Sequence, residues 1–203
     1  MSVIIAGIHT GIGKTICSAV ICQALGYDYW KPVQAGELEN SDSIFIKQNV
    51  SNPNCTIHPE SYQLSMAASP HYAAELDAVE IKMERLVLPQ TNNNIVIETA
   101  GGVMSPLSNK LLAIDLIQEL NLPVILVSNN YLGSINHTLL TVAALQQRNI
   151  PVSGIVFSGA TVLSSQVFIL AYTRLPLLFA IPYFEKVEPT AIKAFAATLA
   201  IKL

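Results

Sequence analysis

Short runs of consecutive apolar residues punctuate the chain. Between them, apolar residues recur every three or four positions. The runs predict strands at Val3–Ala6, Tyr29–Val33, Asn94–Glu98, Val124–Ser128, Ile155–Phe157 and Leu177–Ile181. The helical spacing predicts helices at Thr15–Leu25, Ser41–Lys47, Ser69–Leu76, Glu80–Leu88, Leu111–Leu120, Asn136–Arg148, Ser164–Tyr172 and Thr190–Ile201. The strands are unbroken apolar runs, as expected when helices cover both faces of a sheet. Strand and helix in turn predict an α/β fold of three layers, a mostly parallel sheet flanked by helices through right-handed crossovers. Polar stretches at Asn49–Asn54 and Thr91–Asn94 read as loops. Neither is long enough for a domain linker, so one domain over residues 1–203 is expected.

The first strand runs into GIHTGIGKT, Gly7–Thr15, and the first helix follows at once. Strand, glycine-rich turn and helix form the context of a phosphate loop, so the fold is expected to be of the P-loop NTPase kind. Gly11 and Gly13 let backbone N–H groups converge on an anion. The helix dipole points at the same place. Lys14 adds a cation for the outer phosphates of a nucleotide, and the Thr15 hydroxyl is placed for Mg²⁺. Five residues separate Gly7 from Gly13, one more than the GxxxxGK[ST] spacing allows. The bland alternative is a glycine-rich structural turn.

Ligands in such a sheet gather at the carboxyl ends of strands, which ranks the remaining polar residues. Lys31 lies inside or at the end of the second strand, facing the phosphate loop, and a lysine there is costly to bury without a partner. The alternative is a surface lysine whose stem alone is covered. Asp42 stands beside a helix start, where capping alone would explain it. Glu98 ends an apolar run just before Gly101-Gly102. Thr15, Asp42 and Glu98 together would give Mg²⁺ the hard oxygen ligands it prefers. The four histidines lack metal-ligand spacing; His71 and His137 flank helix starts, where anion binding and capping explain them equally. No Ser/His/Asp or Cys/His nucleophile pattern stands out.

Composition changes the picture in three ways. Apolar residues make up 51% and charged residues 12%, against about 25% charged in an average soluble domain. A subunit interface is one way to hide the excess. Net charge is −3 without a block of like charge, which argues against nucleic acid. The most apolar stretch, Leu175–Phe184, carries two prolines and is too short for a membrane span. The three cysteines, Cys17, Cys22 and Cys55, lack CxxC spacing and fit a reducing cytoplasm.

Several stretches taken together resemble the dethiobiotin synthetase family: GIHTGIGKT, YWKPVQAG (Tyr29–Gly36), NSDS (Asn40–Ser43), ASPH (Ala68–His71), IETAGGVMSPL (Ile97–Leu107), LPVILVSNNYLGSINHTLLT (Leu122–Thr141), SGIVFSG (Ser153–Gly159) and AIPYF (Ala180–Phe184). The resemblance spans nearly the whole chain and includes the extra loop residue. It implies an ATP- and Mg²⁺-dependent ligase that joins CO₂ to 7,8-diaminononanoate and closes a ureido ring. Carried over residue by residue, Lys31 and Lys14 are catalytic, and Thr15, Asp42 and Glu98 hold the metal. ATP is held by Gly11 to Ile16 (Gly11, Ile12, Gly13, Lys14, Thr15, Ile16), Asp42, Glu98, Gly101, Ser158, Gly159, Ile181, Pro182 and Tyr183. The diamine is held by Thr10, Lys31, Ala35, Ser69, Gly102, Leu132 and Asn136. The resemblance further implies a homodimer, with the helix start near Leu132–His137 serving the partner's substrate.

Four positions depart from the pattern. Ala35 stands where Thr or Ser is usual, Thr99 where Gly is, Ser158 where Asn is, and His9 where Asp or Asn is. A Cβ at Thr99 is expected to crowd the phosphate, and Ser158 to loosen base selectivity. Two other readings compete with the ligase. One is a partitioning-type ATPase switch, whose signature lysine would stand at His9. The other is a degenerate homologue that binds nucleotide without chemistry.

Overall fold

Strand β1, Val3–Gly7, is buried along its whole length. It lies at the centre of a seven-stranded sheet in a computed structural model that describes residues 1–201, so the last two residues of the expected domain lie outside the described residues. The other strands are β2 (Asp28–Trp30), β3 (Val33–Ala35), β4 (Ile57–His58), β5 (Tyr62–Leu64), β6 (Ile95–Glu98), β7 (Val124–Asn129), β8 (Val152–Ser158) and β9 (Leu177–Ile181). The helices are α1 (Lys14–Leu25), α2 (Asp42–Asn49), α3 (Pro70–Leu76), α4 (Ala113–Leu120), α5 (Ser134–Gln147), α6 (Leu163–Thr173) and α7 (Pro189–Ala197). The main sheet runs β4-β2-β6-β1-β7-β8-β9, and each of its pairings is parallel.

Alternation along β1 sends its side chains to two separate cores. Val3 and Ile5 pack with Val20 and Ile21 of α1 and Ile192 of α7. Ile4 and Ala6 pack with Ile114 and Ile117 of α4. This is the three-layer arrangement, helix, sheet, helix. Each fully buried Val or Ile here contributes about 1.5–3 kcal/mol. At the far end of the sheet, buried Asp28 ties three segments together. It accepts hydrogen bonds from the Thr56 amide (3.0 Å), Thr91 Oγ1 (2.7 Å) and Asn93 Nδ2 (3.0 Å), and pairs with His58 Nε2 (3.0 Å).

The second strand is shorter than expected. It stops at Trp30, because Pro32 has no N–H to continue the ladder. The Pro32 carbonyl accepts from the Ser61 and Tyr62 amides at 3.0 and 3.1 Å, and a separate parallel pair, β3 with β5, begins there. This small sheet has its own core, Val33, Tyr62 and Leu64 against Ala73 and Ala74 of α3. Strands β4 and β5, two and three residues long, carry too little pattern to be read beforehand.

The helix expected at Glu80–Leu88 is a single 3₁₀ turn, Met83–Arg85. Its apolar spacing serves another end: Ile81 and Leu86 plug the core of the small sheet from irregular chain. The helix expected from Asn136 starts two residues earlier, after Gly133 at φ 100°, so Asn136 lies within its first turn. The last helix ends at Ala197, not Ile201. Helix α2 starts at Asp42 with Ser41 as its cap, Ser41 Oγ accepting from the Ile44 amide at 3.3 Å. Asp42 is therefore not the cap, and its carboxylate is free for other contacts.

Candidate functional site

The phosphate loop joins β1 to α1 at the carboxyl ends of the central strands. Gly11 and Gly13 both take positive φ, 71° and 95°. A Cβ on Gly13 would strike Ser158 Oγ, so only glycine fits at this turn. Ile12 and Ile16 turn their side chains to the core and so offer only backbone to a ligand. Lys14 is buried, with Nζ donating to the His9 carbonyl at 3.1 Å. Burial, only partly opposed by Glu98, holds its ammonium at about 8.

Chain segments far apart in sequence meet just beyond the loop. Lys31, directly after β2, donates to Asp42 Oδ2 at the start of α2 and to Glu98 Oε1 at the end of β6, the latter at 3.2 Å. Burial works against the charge on Lys31, but Glu98 and Asp42 outweigh it and raise its pKa. Burial likewise opposes the charge on Asp42, but Lys31 and Thr15 outweigh it and lower its pKa. Thr15 Oγ1 stands 2.5 Å from Asp42 Oδ1 and 2.9 Å from Glu98 Oε1. One hydroxyl proton cannot serve both carboxylates, so one of these contacts sets oxygen against oxygen. A hard cation among the three oxygens would relieve that crowding, and the donor set suits Mg²⁺. No group of three or more His, Cys, Asp or Glu with metal-ligand geometry occurs among the described residues.

Two residues that sequence reasoning missed hold Glu98 in place. Its Oε2 accepts from Ser18 Oγ at 2.8 Å and from Tyr29 Oη at 3.1 Å. Tyr29 is completely buried, and burial followed by the nearby Glu98 charge pushes its phenol well above the usual range. Both were legible in principle. Ser18 lies one helical turn after Thr15, and Tyr29 alternates with Lys31 on one side of an extended stretch.

A cavity of about 500 Å³ opens over this cluster. Lys14, Thr15, Lys31, Asp42 and Glu98 line it, with Thr10, Gly11, Gly13 and Gly101 on the loop side. Ala35 and Ser69 line the wall built by the small sheet and α3. Gly102 instead borders a neighbouring cavity of about 490 Å³, shared with His9, Thr10 and His137. Ser158, Gly159 and Ile181 end β8 and β9, where the Gly159 amide donates to the Ile181 carbonyl at 3.0 Å. They lie outside the main cavity, as do Pro182 and the exposed Tyr183. Leu132 and Asn136 are exposed and also stand apart from it. Thr99 does not crowd the cavity. It is buried, and its hydroxyl turns back to the Ile5 carbonyl at 3.3 Å.

Residues 1–191 match the family model described as an AAA domain. An ATP-dependent dethiobiotin synthetase from Cytophaga hutchinsonii is 47% identical over 196 residues, covering 96% of this chain and 95% of that protein. One from Chlamydia pneumoniae is 42% identical over 194 residues, covering 96% and 87%. Among solved structures, a ParA family ATPase from Chlorobium tepidum superposes with a TM-score of 0.60 at 13% identity, covering 98% of this chain and 99% of that one. The MinC:MinD cell division protein complex of Aquifex aeolicus gives 0.60 at 14% identity, covering 100% and 97%. At such identities the likeness to the partitioning ATPases speaks to the fold alone, whereas the sequence relatives match end to end. By that measure the chain belongs to the ATP-dependent dethiobiotin synthetase family.

Proposed function

We propose that the protein carboxylates 7,8-diaminononanoate with CO₂ and closes the ureido ring to give dethiobiotin, with ATP and Mg²⁺. The observation that carries this reading is the meeting of Lys14, Lys31, Thr15, Asp42 and Glu98 in one cavity at the carboxyl ends of the strands. One amine adds to CO₂ and loses a proton, leaving a carbamate. A carbamate oxygen attacks the γ-phosphorus of ATP and releases ADP. The second amine, once it has given up its extra proton to water, attacks the carbonyl carbon, loses a further proton, and phosphate leaves as the ring closes.

The chain's part is positioning and charge neutralisation. Lys31 meets the carbamate, and Lys14 with the loop amides meets the phosphoryl group in transit. Thr15, Asp42 and Glu98 would hold Mg²⁺, which neutralises phosphate charge. Ser158, Gly159 and Ile181–Tyr183 would border the base. A homodimer completes the reading, with Leu132 and Asn136 of one copy serving the other copy's substrate. Its support is the exposure of Met104 and Leu140 at the second cavity, and of Leu132 just before α5. The reading takes the setting to be cytoplasmic, in keeping with the free Cys17, Cys22 and Cys55.

The test is direct. Purified protein receives 7,8-diaminononanoate, bicarbonate, Mg²⁺ and ATP, and the products are read by mass spectrometry. Dethiobiotin in step with ADP and phosphate is expected. ATP hydrolysis without dethiobiotin would overturn the reading.

A further inference from the structure

One more charged residue lines the cavity over the cluster. Glu37 lines it, is exposed, and has no cationic partner among the described residues. Its backbone is left-handed, φ 52° and ψ 37°, a conformation that glycine or asparagine adopts at lower cost than glutamate. The surroundings impose this shape. Gly36 before it has φ 70° and packs so closely on Ala67 that no Cβ would fit. Buried Gln34 fixes both ends of the turn, Nε2 donating to the Gly36 carbonyl at 3.0 Å and Oε1 accepting from the Asp42 amide at 3.4 Å. The Asn40 amide closes onto the Glu37 carbonyl at 2.9 Å. An unfavourable backbone held this firmly beside a cavity points to a use for the side chain it carries.

We propose that Glu37 is a specificity-determining residue that binds the ammonium of the diamine's second amine, the one that does not carry the carbamate. The inference rests on the ligase reading. The anionic carbamate goes to Lys31 and Lys14. The remaining amine is an alkyl amine, protonated in neutral water, and the two lysines repel it. Asp42 and Glu98 are occupied with Lys31 and Thr15. Glu37 is the carboxylate on the cavity wall left over for it. The two nitrogens sit on adjacent carbons, so lysine can meet one while Glu37 meets the other. A charge-assisted hydrogen bond of this kind selects a diamine over a monoamine of the same length.

The experiment uses Glu37→Asn, because asparagine suits the left-handed backbone while removing the charge. Calorimetry would measure 7,8-diaminononanoate, 7-aminononanoate and 8-aminononanoate binding to wild type and variant, each with bicarbonate, Mg²⁺ and a non-hydrolysable ATP analogue. Wild type should prefer the diamine to both monoamines. The variant should bind the diamine about ten-fold more weakly and lose its preference over one monoamine, with nucleotide affinity and melting temperature unchanged or the latter raised. If both preferences stay within two-fold of wild type, or all three ligands weaken equally, the proposal is overturned. If wild type binds none of the three, the ligase reading fails, a result distinct from failure of Glu37 alone.

Discussion

Lys31 Nζ lies 3.2 Å from Glu98 Oε1, although the two residues stand 67 positions apart and neither side chain is more than 7% exposed. A lysine placed between two carboxylates occupies ground that a divalent cation would also use. Removing it leaves Glu98 and Asp42 facing each other unpaired. Lys31→Ala should therefore lose about 3–5 kcal/mol of stability without Mg²⁺ and regain part of it when Mg²⁺ is added. Dethiobiotin synthesis should be lost, while ATP affinity in saturating Mg²⁺ is kept. Thermal melts with and without Mg²⁺, beside a nucleotide titration, would check this. Unchanged turnover, or equal loss of ATP binding, contradicts the role assigned to Lys31.

Tyr29 acts through Glu98. Tyr29→Phe removes one of the two donors to Oε2 and keeps the ring that fills the core. The carboxylate is then less firmly oriented, and the Mg²⁺ needed for half-maximal activity should rise about 10- to 100-fold. Turnover in excess Mg²⁺ should largely recover. Equal Mg²⁺ curves for the two proteins would show that Ser18 alone suffices.

Base selectivity should be loose. The Ser158 side chain packs under Gly13 of the phosphate loop and is nearly buried. It offers one hydroxyl where an asparagine would offer a fixed donor and acceptor. CTP and GTP are expected to replace ATP with modest loss. A strong preference for ATP in a nucleotide panel would mean that main chain near Pro182 reads the base.

Asp28 should make stability sensitive to acid. Burial opposes its charge, but Thr91, His58, the Thr56 amide and Asn93 outweigh it, so its pKa lies below the usual value. A carboxylate depressed in the folded state stabilises above its unfolded pKa of about 3.9, and that stability is lost as pH falls through the folded value. Asp28→Asn should cost about 1–3 kcal/mol at pH 7. It should also lose less than wild type between pH 5 and pH 3. Denaturant midpoints at the three pH values would decide.

The layers of the fold and the phosphate loop were legible because buried parallel strands are unbroken apolar runs and GKT sits between strand and helix. Thr15, Asp42, Glu98 and Lys31 were found by their places at strand ends and helix starts, and they do meet. The sequence pattern could not show where the chain leaves the sheet. Pro32 signals a bend but not that β3 would find β5, a partner of three residues. Ser18 and Tyr29 give no signal of their own in the sequence, because a serine in a helix and a tyrosine in a strand are ordinary. Glu37 carries no motif, and its significance lies in a backbone angle that no residue pattern announces.

The split after Trp30 divides the site between two bodies of unequal strength. The wall with the phosphate loop belongs to the seven-stranded sheet, whose inner strands have a neighbour on each side. The wall with Ala35 and Ser69 belongs to a two-stranded sheet and one short helix, an assembly that is marginal by itself. Amide protons of β3 and β5 should therefore exchange with solvent through local openings, well before those of β1 and β6. The small-sheet wall can breathe while the phosphate loop keeps its shape, so ligand bound there should slow exchange in β3 and β5 and leave the central strands as they were.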